Sequence, residues 1–248
     1  MADSILYMAK SGSGKTSSLR NLPKEKTILI TPNTKSLPFP GGDAYYNVEN
    51  KTRIVTDKLN GDPNLPATDF RHFSLKQIIK MISDQMPDVK YIVLDDFTHY
   101  FSARIFSQSF LDQKTGDKAF QRWNEFGAHV FQNVFEDQDK LRKDLYIIIL
   151  HHTELKDDGM EGFKSAGKLL DKTIDFPSYF NYILHGVVQD SEDGPVYLIQ
   201  TNQTTTRHAK TPYGLFDKSK ELYVPNDLYE VIRRIDDYKS GKLKIEWK

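Results

Sequence analysis

Residues 5–17 read ILYMAKSGSGKTS. The four-residue apolar run Ile5–Met8 breaks at once into a Gly/Ser-rich turn that ends in Lys15 and Thr16. A strand that hands such a turn to the start of a helix is what a phosphate cradle requires. Gly12 and Gly14 let the backbone wrap so that successive N–H groups converge on phosphate oxygens. A short helix starting near Gly14 and reaching about Leu22 would add its positive end. From Ala9 to Thr16 the stretch follows the pattern G-x-x-x-x-G-K-[ST], with Ala9 in place of the first glycine. The expected nucleotide-binding residues are therefore Ala9, Lys10, Ser11, Gly12, Ser13, Gly14, Lys15, Thr16 and Ser17. Lys15 is expected to reach the β- and γ-phosphates as a point charge. Thr16 is expected to offer its hydroxyl to Mg²⁺, with Ser17 beside it. Lys10 and Ser13 are assigned backbone contacts only.

Outward from this turn, strand-like runs alternate with segments of helical period. Thr27–Thr31 (TILIT), Tyr91–Leu94 (YIVL) and Leu145–Leu150 (LYIIIL) read as strands, the last as a central strand covered on both faces. A short strand is expected near Arg53–Val55, inside a Pro-, Gly- and Asn-rich stretch from Pro32 to Asp69 that is too long for a simple connection. Helical spacing marks Phe73–Met86, Phe97 to about Phe110, and about Ala119 to Lys140, with a polar Asp112–Asp117 break between the last two. Tyr182–Val188 and Pro195–Thr201 flank the turn Asp190–Gly194 and read as an antiparallel hairpin. Asn226–Tyr238 reads as a final helix, capped by Asn226 or Asp227. This order implies an α/β fold with a mostly parallel twisted sheet, helices on its flanks and an antiparallel C-terminal extension. Residues 1–225 are expected to form the core domain, with 226–248 as a C-terminal helix and tail packed on it.

Composition narrows the classes. The 248 residues carry 34 Lys+Arg against 34 Asp+Glu, 38% hydrophobic residues and no cysteine. Disulfides, Cys-ligated zinc, iron–sulfur clusters and thiol catalysis are excluded, and no apolar run approaches the ~18 residues of a membrane span. A cytoplasmic protein with no membrane partner is the expectation. The neutral total argues against a uniformly basic nucleic-acid binder. The cations are nonetheless uneven: Arg207, Lys210, Lys218 and Lys220 face only Asp217 between Thr201 and Lys220.

Two further motifs complete the candidate site. YIVLDD, Tyr91–Asp96, delivers Asp95 to the C-terminal end of a strand, the edge at which open α/β sheets bind ligands. A carboxylate there can hold a Mg²⁺ shell opposite Thr16, so the expected metal-side residues are Thr16 and Asp95. Asp96 is placed to polarise an attacking water, or else to cap the following helix. His151 and His152 end the Leu145–Leu150 run, and one of them is expected to sense the γ-phosphate. Neighbours on a strand point to opposite faces, which argues against a two-histidine metal site.

The ordered set MAKSGSGKT, YIVLDD, IILHH, SAGKLLDK and RHAKTPYGLF resembles the phage-encoded RecA-like ATPases associated with single-strand annealing and recombination, over roughly residues 4–217. The resemblance implies a RecA-like P-loop core that binds ATP and Mg²⁺, acts on single-stranded DNA, works as a homo-oligomer and meets phage replication or recombination proteins in the host cytoplasm. It also implies that Arg207 and Lys210 reach a neighbouring subunit's nucleotide as fixed cations. The segment His152–Asp175 would be the DNA-binding loop, with Phe163 stacking on bases. The chain departs from the family at Pro32-Asn33-Thr34-Lys35, where a catalytic glutamate is usual, so the base falls to Asp96 or the more distant Glu49. A loader or motor acting on a protein, a small-molecule kinase with a lid at Lys114–Arg122, and a non-hydrolysing nucleotide-binding module are the other readings.

Overall fold

The computed structural model describes residues 2–112, 118–165, 167, 170 and 174–243. Its sheet contains β1 (Asp3–Ala9), β2 (Thr27–Thr31), β3 (Arg53–Val55), β4 (Tyr91–Leu94), β5 (Tyr146–Leu155), β6 (Glu161–Phe163), β7 (Tyr182–Ser191), β8 (Gly194–Gln200) and β9 (Tyr223–Pro225). The spatial order is β3-β2-β4-β5-β1-β7-β8-β9, with β6 paired to the end of β5. Every pairing from β3 through β7 is parallel, while β7–β8, β8–β9 and β5–β6 are antiparallel. The β5 strand thus stands between the phosphate-loop strand β1 and the acid-bearing strand β4. This is an α/β fold with a mostly parallel sheet and the expected antiparallel extension.

The strands form where β-branched runs let both faces be buried. Ile5 and Tyr7 point to one side with Val93, Ile148 and Leu150, against the C-terminal helix. Leu6 and Met8 point to the other with Ile92, Leu94, Ile147 and Ile149, against the middle helices. That alternation is the strand period of two. Among the described residues the helices are α1 (Gly42–Tyr45), α2 (Leu75–Gln85), α3 (Thr98–Ile105), α4 (Gln108–Leu111), α5 (Lys118–Val130) and α6 (Leu228–Lys239). Helix α2 opens on a capping box between Ser74 and Gln77. Helix α6 is capped by Asp227, whose carboxylate accepts from the N–H groups of Tyr229 and Glu230. Its stripe Leu228, Val231, Ile232 and Ile235 packs on Ile5, Tyr7 and Leu19, so the C-terminal helix belongs to the same core as β1.

Several expectations are corrected. The helix after the phosphate loop is a single 3-10 turn, Thr16–Leu19. The chain turns away at Arg20 because Leu19 and Leu22 are buried against the α6 side of the sheet. The expected helix over Ala119–Lys140 divides into α5, a π-helical turn at Phe131–Phe135 and a 3-10 turn at Gln138–Lys140. Asp137, at a φ of 67°, makes the break between the last two. Likewise Phe97–Phe110 divides into α3 and α4, and β5 continues five residues past Leu150. Residues 114–117 of the expected kinase lid, residues 166, 168–169 and 171–173 of the expected DNA-binding loop, and the tail 244–248 lie outside the described residues.

Candidate nucleotide-binding site

The sheet places the ends of β1, β4 and β5 side by side. Ala9 is level with His152, and Leu94 with Ile149. A cleft of about 890 Å³ opens over this edge. Its floor is the phosphate loop from Ser11 to Ser17 without Ser13, and Asp95, Asp96 and His152 form one wall. The sequence motifs therefore meet at one place, although Thr16 and Asp95 stand 79 residues apart and His152 lies far beyond both in the chain.

Ala9 shows why the first glycine of the pattern is dispensable here. It is the last residue of β1, where no left-handed backbone is needed. Its methyl is accommodated by Gly186 on β7, where an added Cβ would come within 2.8 Å of it. Gly14 is indispensable on two counts. Its φ is +79°, and a Cβ there would lie 2.6 Å from Asn226 Nδ2 and 3.0 Å from the Tyr197 ring. Asn226 holds the loop. Its amide donates to the Gly14 carbonyl at 2.9 Å, and its Oδ1 accepts from the buried Tyr7 hydroxyl at 2.7 Å. The sequence suggested Asn226 only as a helix cap, a task that Asp227 performs instead.

Lys15 is only 9% exposed. Its Nζ donates to the carbonyls of Ala9 and Lys10, both at 2.9 Å, and lies 3.2 Å from His152 Nδ1. Burial lowers its pKa to about 8 against the opposing pull of Asp95 and Asp96. The Thr16 hydroxyl donates to Asp95, 3.0 and 3.2 Å from its two carboxylate oxygens. Burial raises the Asp95 pKa to about 6, opposed by the Thr16 hydrogen bond and helped by Asp96. Thr16 and Asp95 thus present hard oxygen donors at one point. Among the described residues no cluster of three or more His, Asp or Glu could cage a metal. Two protein donors beside a phosphate cradle fit Mg²⁺, which keeps several waters and shares its shell with phosphates.

Asp96 sits at a φ of 57°, a left-handed backbone that costs a non-glycine residue about 1–2 kcal/mol. The turn aims its carboxylate back over the cleft. Asn33 Nδ2 donates to Oδ2 at 3.2 Å, and His152 Nε2 lies 3.7 Å from Oδ1. Asp96 does not cap α3, since Phe97 occupies that position. Asn33 fills the place at the end of β2 where a glutamate was sought. Its carbonyl, like that of Lys35, accepts from the buried Arg53 guanidinium at 3.0 and 2.7 Å. Glu49 is exposed and does not line the cleft.

The two histidines part company as the strand period requires. His152 lines the cleft. Burial and Lys15 lower its pKa, so it is neutral near pH 7 and its Nδ1 accepts from the lysine. His151 is fully buried, stacked on Phe163 at 3.7 Å between centroids. Its Nε2–H donates to the Lys164 carbonyl at 2.8 Å, and its Nδ1 lies 3.2 Å from the Thr98 hydroxyl. Burial drives its pKa down to about 3. His151 is therefore a neutral core residue outside the cleft. Thr98, unremarked in the sequence, also accepts from the His152 N–H at 2.8 Å and so fixes both strand-end residues.

The expected DNA loop after His152 is first of all a hairpin, β5–β6, and Phe163 is 4% exposed. Its ring is spent on His151, Phe101 and Phe176 rather than open to bases. Arg207 and Lys210 do not line the cleft. Arg207 Nε lies 3.5 Å from Glu161, which also pairs with Lys10 and contacts His185. The Lys10 side chain is thus turned out of the phosphate loop. Arg122 stacks over Phe110 and Trp123 instead of reaching phosphates. Among the described residues no helix is long and apolar enough to cross a membrane.

No family model and no curated protein matches the chain. Among solved structures it is similar to a KaiC-like protein from the hyperthermophilic archaeon Pyrococcus horikoshii. The identity is 10% and the TM-score 0.43, over 85% of this chain and 83% of that one.

Proposed function

We propose that the protein is a Mg²⁺-dependent ATPase whose water-orienting carboxylate is Asp96. The observation that carries this reading is the arrangement at the end of β4 and β5. Asp96 is held in a left-handed turn between Asn33 and His152, across the loop from Lys15 and the Thr16–Asp95 pair. A loop that only bound nucleotide would not need a second, backbone-strained carboxylate aimed at the terminal phosphate.

Lys15 moves from the Ala9 and Lys10 carbonyls onto the β,γ-phosphate oxygens and neutralises charge there. Mg²⁺ held by Thr16 and Asp95 would supply electrostatic stabilisation of the same oxygens. Asp96 orients a water in line with the γ-phosphorus and accepts its proton. His152, touching Lys15 on one side and facing Asp96 on the other, registers whether Lys15 is on phosphate and passes the change into β5 and its hairpin. Arg207 and Lys210, outside their own cleft, act on a neighbouring subunit. The partner is single-stranded DNA, bound collectively by a homo-oligomer; the support for it is the family resemblance and the cation-rich block Thr201–Lys220.

Release of inorganic phosphate from ATP tests the reading. Asp96→Asn should bind ATP like the parent yet lose turnover by about 100-fold or more. Unchanged turnover in that variant would remove Asp96 from the mechanism. Stimulation by single-stranded DNA, measured across a salt series, tests the partner, and basal turnover that no DNA alters would refute it.

A further inference from the structure

The cleft extends past the phosphate loop on the side away from Asp95. Strand order fixes that polarity: β4 and β5 flank β1 on one side, and β7, β8 and β9 on the other. Lys15 beside His152, and the Thr16–Asp95 pair, stand on the β5 side, where the proposed function puts the terminal phosphates. The α-phosphate and nucleoside must then leave over Ser17 toward the β7–β8 hairpin. There the cleft is walled by Pro195, Val196, Tyr197 and Pro225, with Arg20 and Asn226 beside them. Val196 and Tyr197 are each 42% exposed, large for residues placed in a concave wall. One edge of the Tyr197 ring rests against Gly14.

We infer that Tyr197 and the neighbouring prolines form a nucleobase platform that grips any base by stacking and reads none of them by hydrogen bonds. The inference rests on the phosphate-loop reading above. The polar groups able to read a base edge are already engaged. Asn226, the one side-chain amide on this wall, has both ends committed to Tyr7 and Gly14. Arg20 donates through Nη1 to the carbonyls of Ser17 and Asn226 at 3.1 and 2.7 Å and turns Nη2 toward Asp227, 3.9 Å away. Pro195 and Pro225 bring no N–H. What remains is one aromatic face and apolar surface, and stacking is indifferent to base identity because every base has a π-face. The protein should therefore accept Mg²⁺ complexes of ATP, GTP and CTP with similar affinity.

The test is calorimetric affinity of the full chain for MgATP, MgGTP, MgCTP and Mg-tripolyphosphate, in the parent, Tyr197→Ala and Tyr197→Phe. The expected result is ATP and GTP within about threefold of each other. Tyr197→Ala should weaken all three nucleotides by about tenfold or more and leave tripolyphosphate unchanged, while Tyr197→Phe keeps parental values. Tripolyphosphate binding doubles as a check that each variant is folded. A preference for ATP over GTP above about thirtyfold would overturn the platform while sparing the phosphate loop. So would nucleotide affinity that Tyr197→Ala does not alter. Failure of ATP and tripolyphosphate alike to bind the parent would bring down the phosphate-loop reading itself.

Discussion

At the scale of the residue, burial moves Lys15 and Asp95 toward each other in pH, Lys15 down to about 8 and Asp95 up to about 6. Both must be charged to bind a metal–triphosphate. Affinity is therefore lost as pH falls through about 6, where Asp95 takes a proton, and as pH rises through about 8, where Lys15 gives one up. The profile of kcat/KM for MgATP, which reports the free protein, should be a bell with those limbs, and the limbs of kcat should lie further out because bound ligand holds both charges. Stability without ligand runs the other way. Ionised Asp95 costs the fold at neutral pH, so the protein should gain stability as pH drops from about 6 toward the usual 3.8 of an aspartate, apart from other groups. Lys15→Ala should cut turnover by at least about 100-fold, and an active Lys15→Ala protein would overturn the site. Asn33 gives a finer test. Asn33→Ala releases one Asp96 oxygen and should lower kcat between about 10- and 100-fold with KM little changed. Asn33→Asp replaces the amide donor by a second carboxylate facing Asp96 and should lower kcat at least as far as Asn33→Ala. If Asn33→Ala is silent in kcat, Asp96 is not positioned through it.

At the scale of the element, the β5 strand does most to assemble the site. Its Ile-rich interior is buried on both faces, so its position between β1 and β4 is set by packing. Its last residues then separate two tasks. His152 enters the cleft, and His151 anchors the return hairpin through Phe163 and Lys164. Phe163→Ala should destabilise the fold by about 3–5 kcal/mol, the range for deleting a buried phenyl, as measured by denaturant unfolding. A stable variant that had lost only DNA binding would restore Phe163 to the stacking role implied by the resemblance. The loop–helix join is the second such element. Asn226→Ala removes the amide that clamps the Gly14 carbonyl and leaves the buried Tyr7 hydroxyl without its acceptor. It should weaken nucleotide binding and also cost about 1–3 kcal/mol of stability.

At the scale of the whole molecule, the proposed function pairs a neutral total charge with a local cation-rich block, and so requires that DNA be bound by an array of subunits more than by one. Such an assembly should show DNA affinity that rises with protein concentration and falls only modestly with salt per subunit. Arg207 and Lys210 are the residues to test in mixtures. Arg207→Ala and Lys15→Ala subunits, each inactive alone, should regain part of the turnover when combined, because each supplies what its neighbour lacks. No recovery on mixing would confine Arg207 to its pairing with Glu161 within the subunit.

The sequence by itself determined the α/β class, the phosphate loop and the acid-tipped strand, because each is written in consecutive residues: an apolar run, then a turn or a carboxylate. The places of the main strands followed for the same reason, while their ends did not: β5 runs on to Leu155 because β6 pairs with it. Only the tertiary structure decided which groups surround those motifs. Nothing local to Thr98, Asn33 or Tyr197 announces a role, and Asn226 reads locally only as a cap, since each acts on a residue at least 50 positions away that the sheet order brings beside it. The same long-range packing chose His152 over His151, took Phe163 into the core, and left Arg207 outside its own cleft. A strand fixes which way its side chains alternate, but which face meets solvent depends on what folds over it.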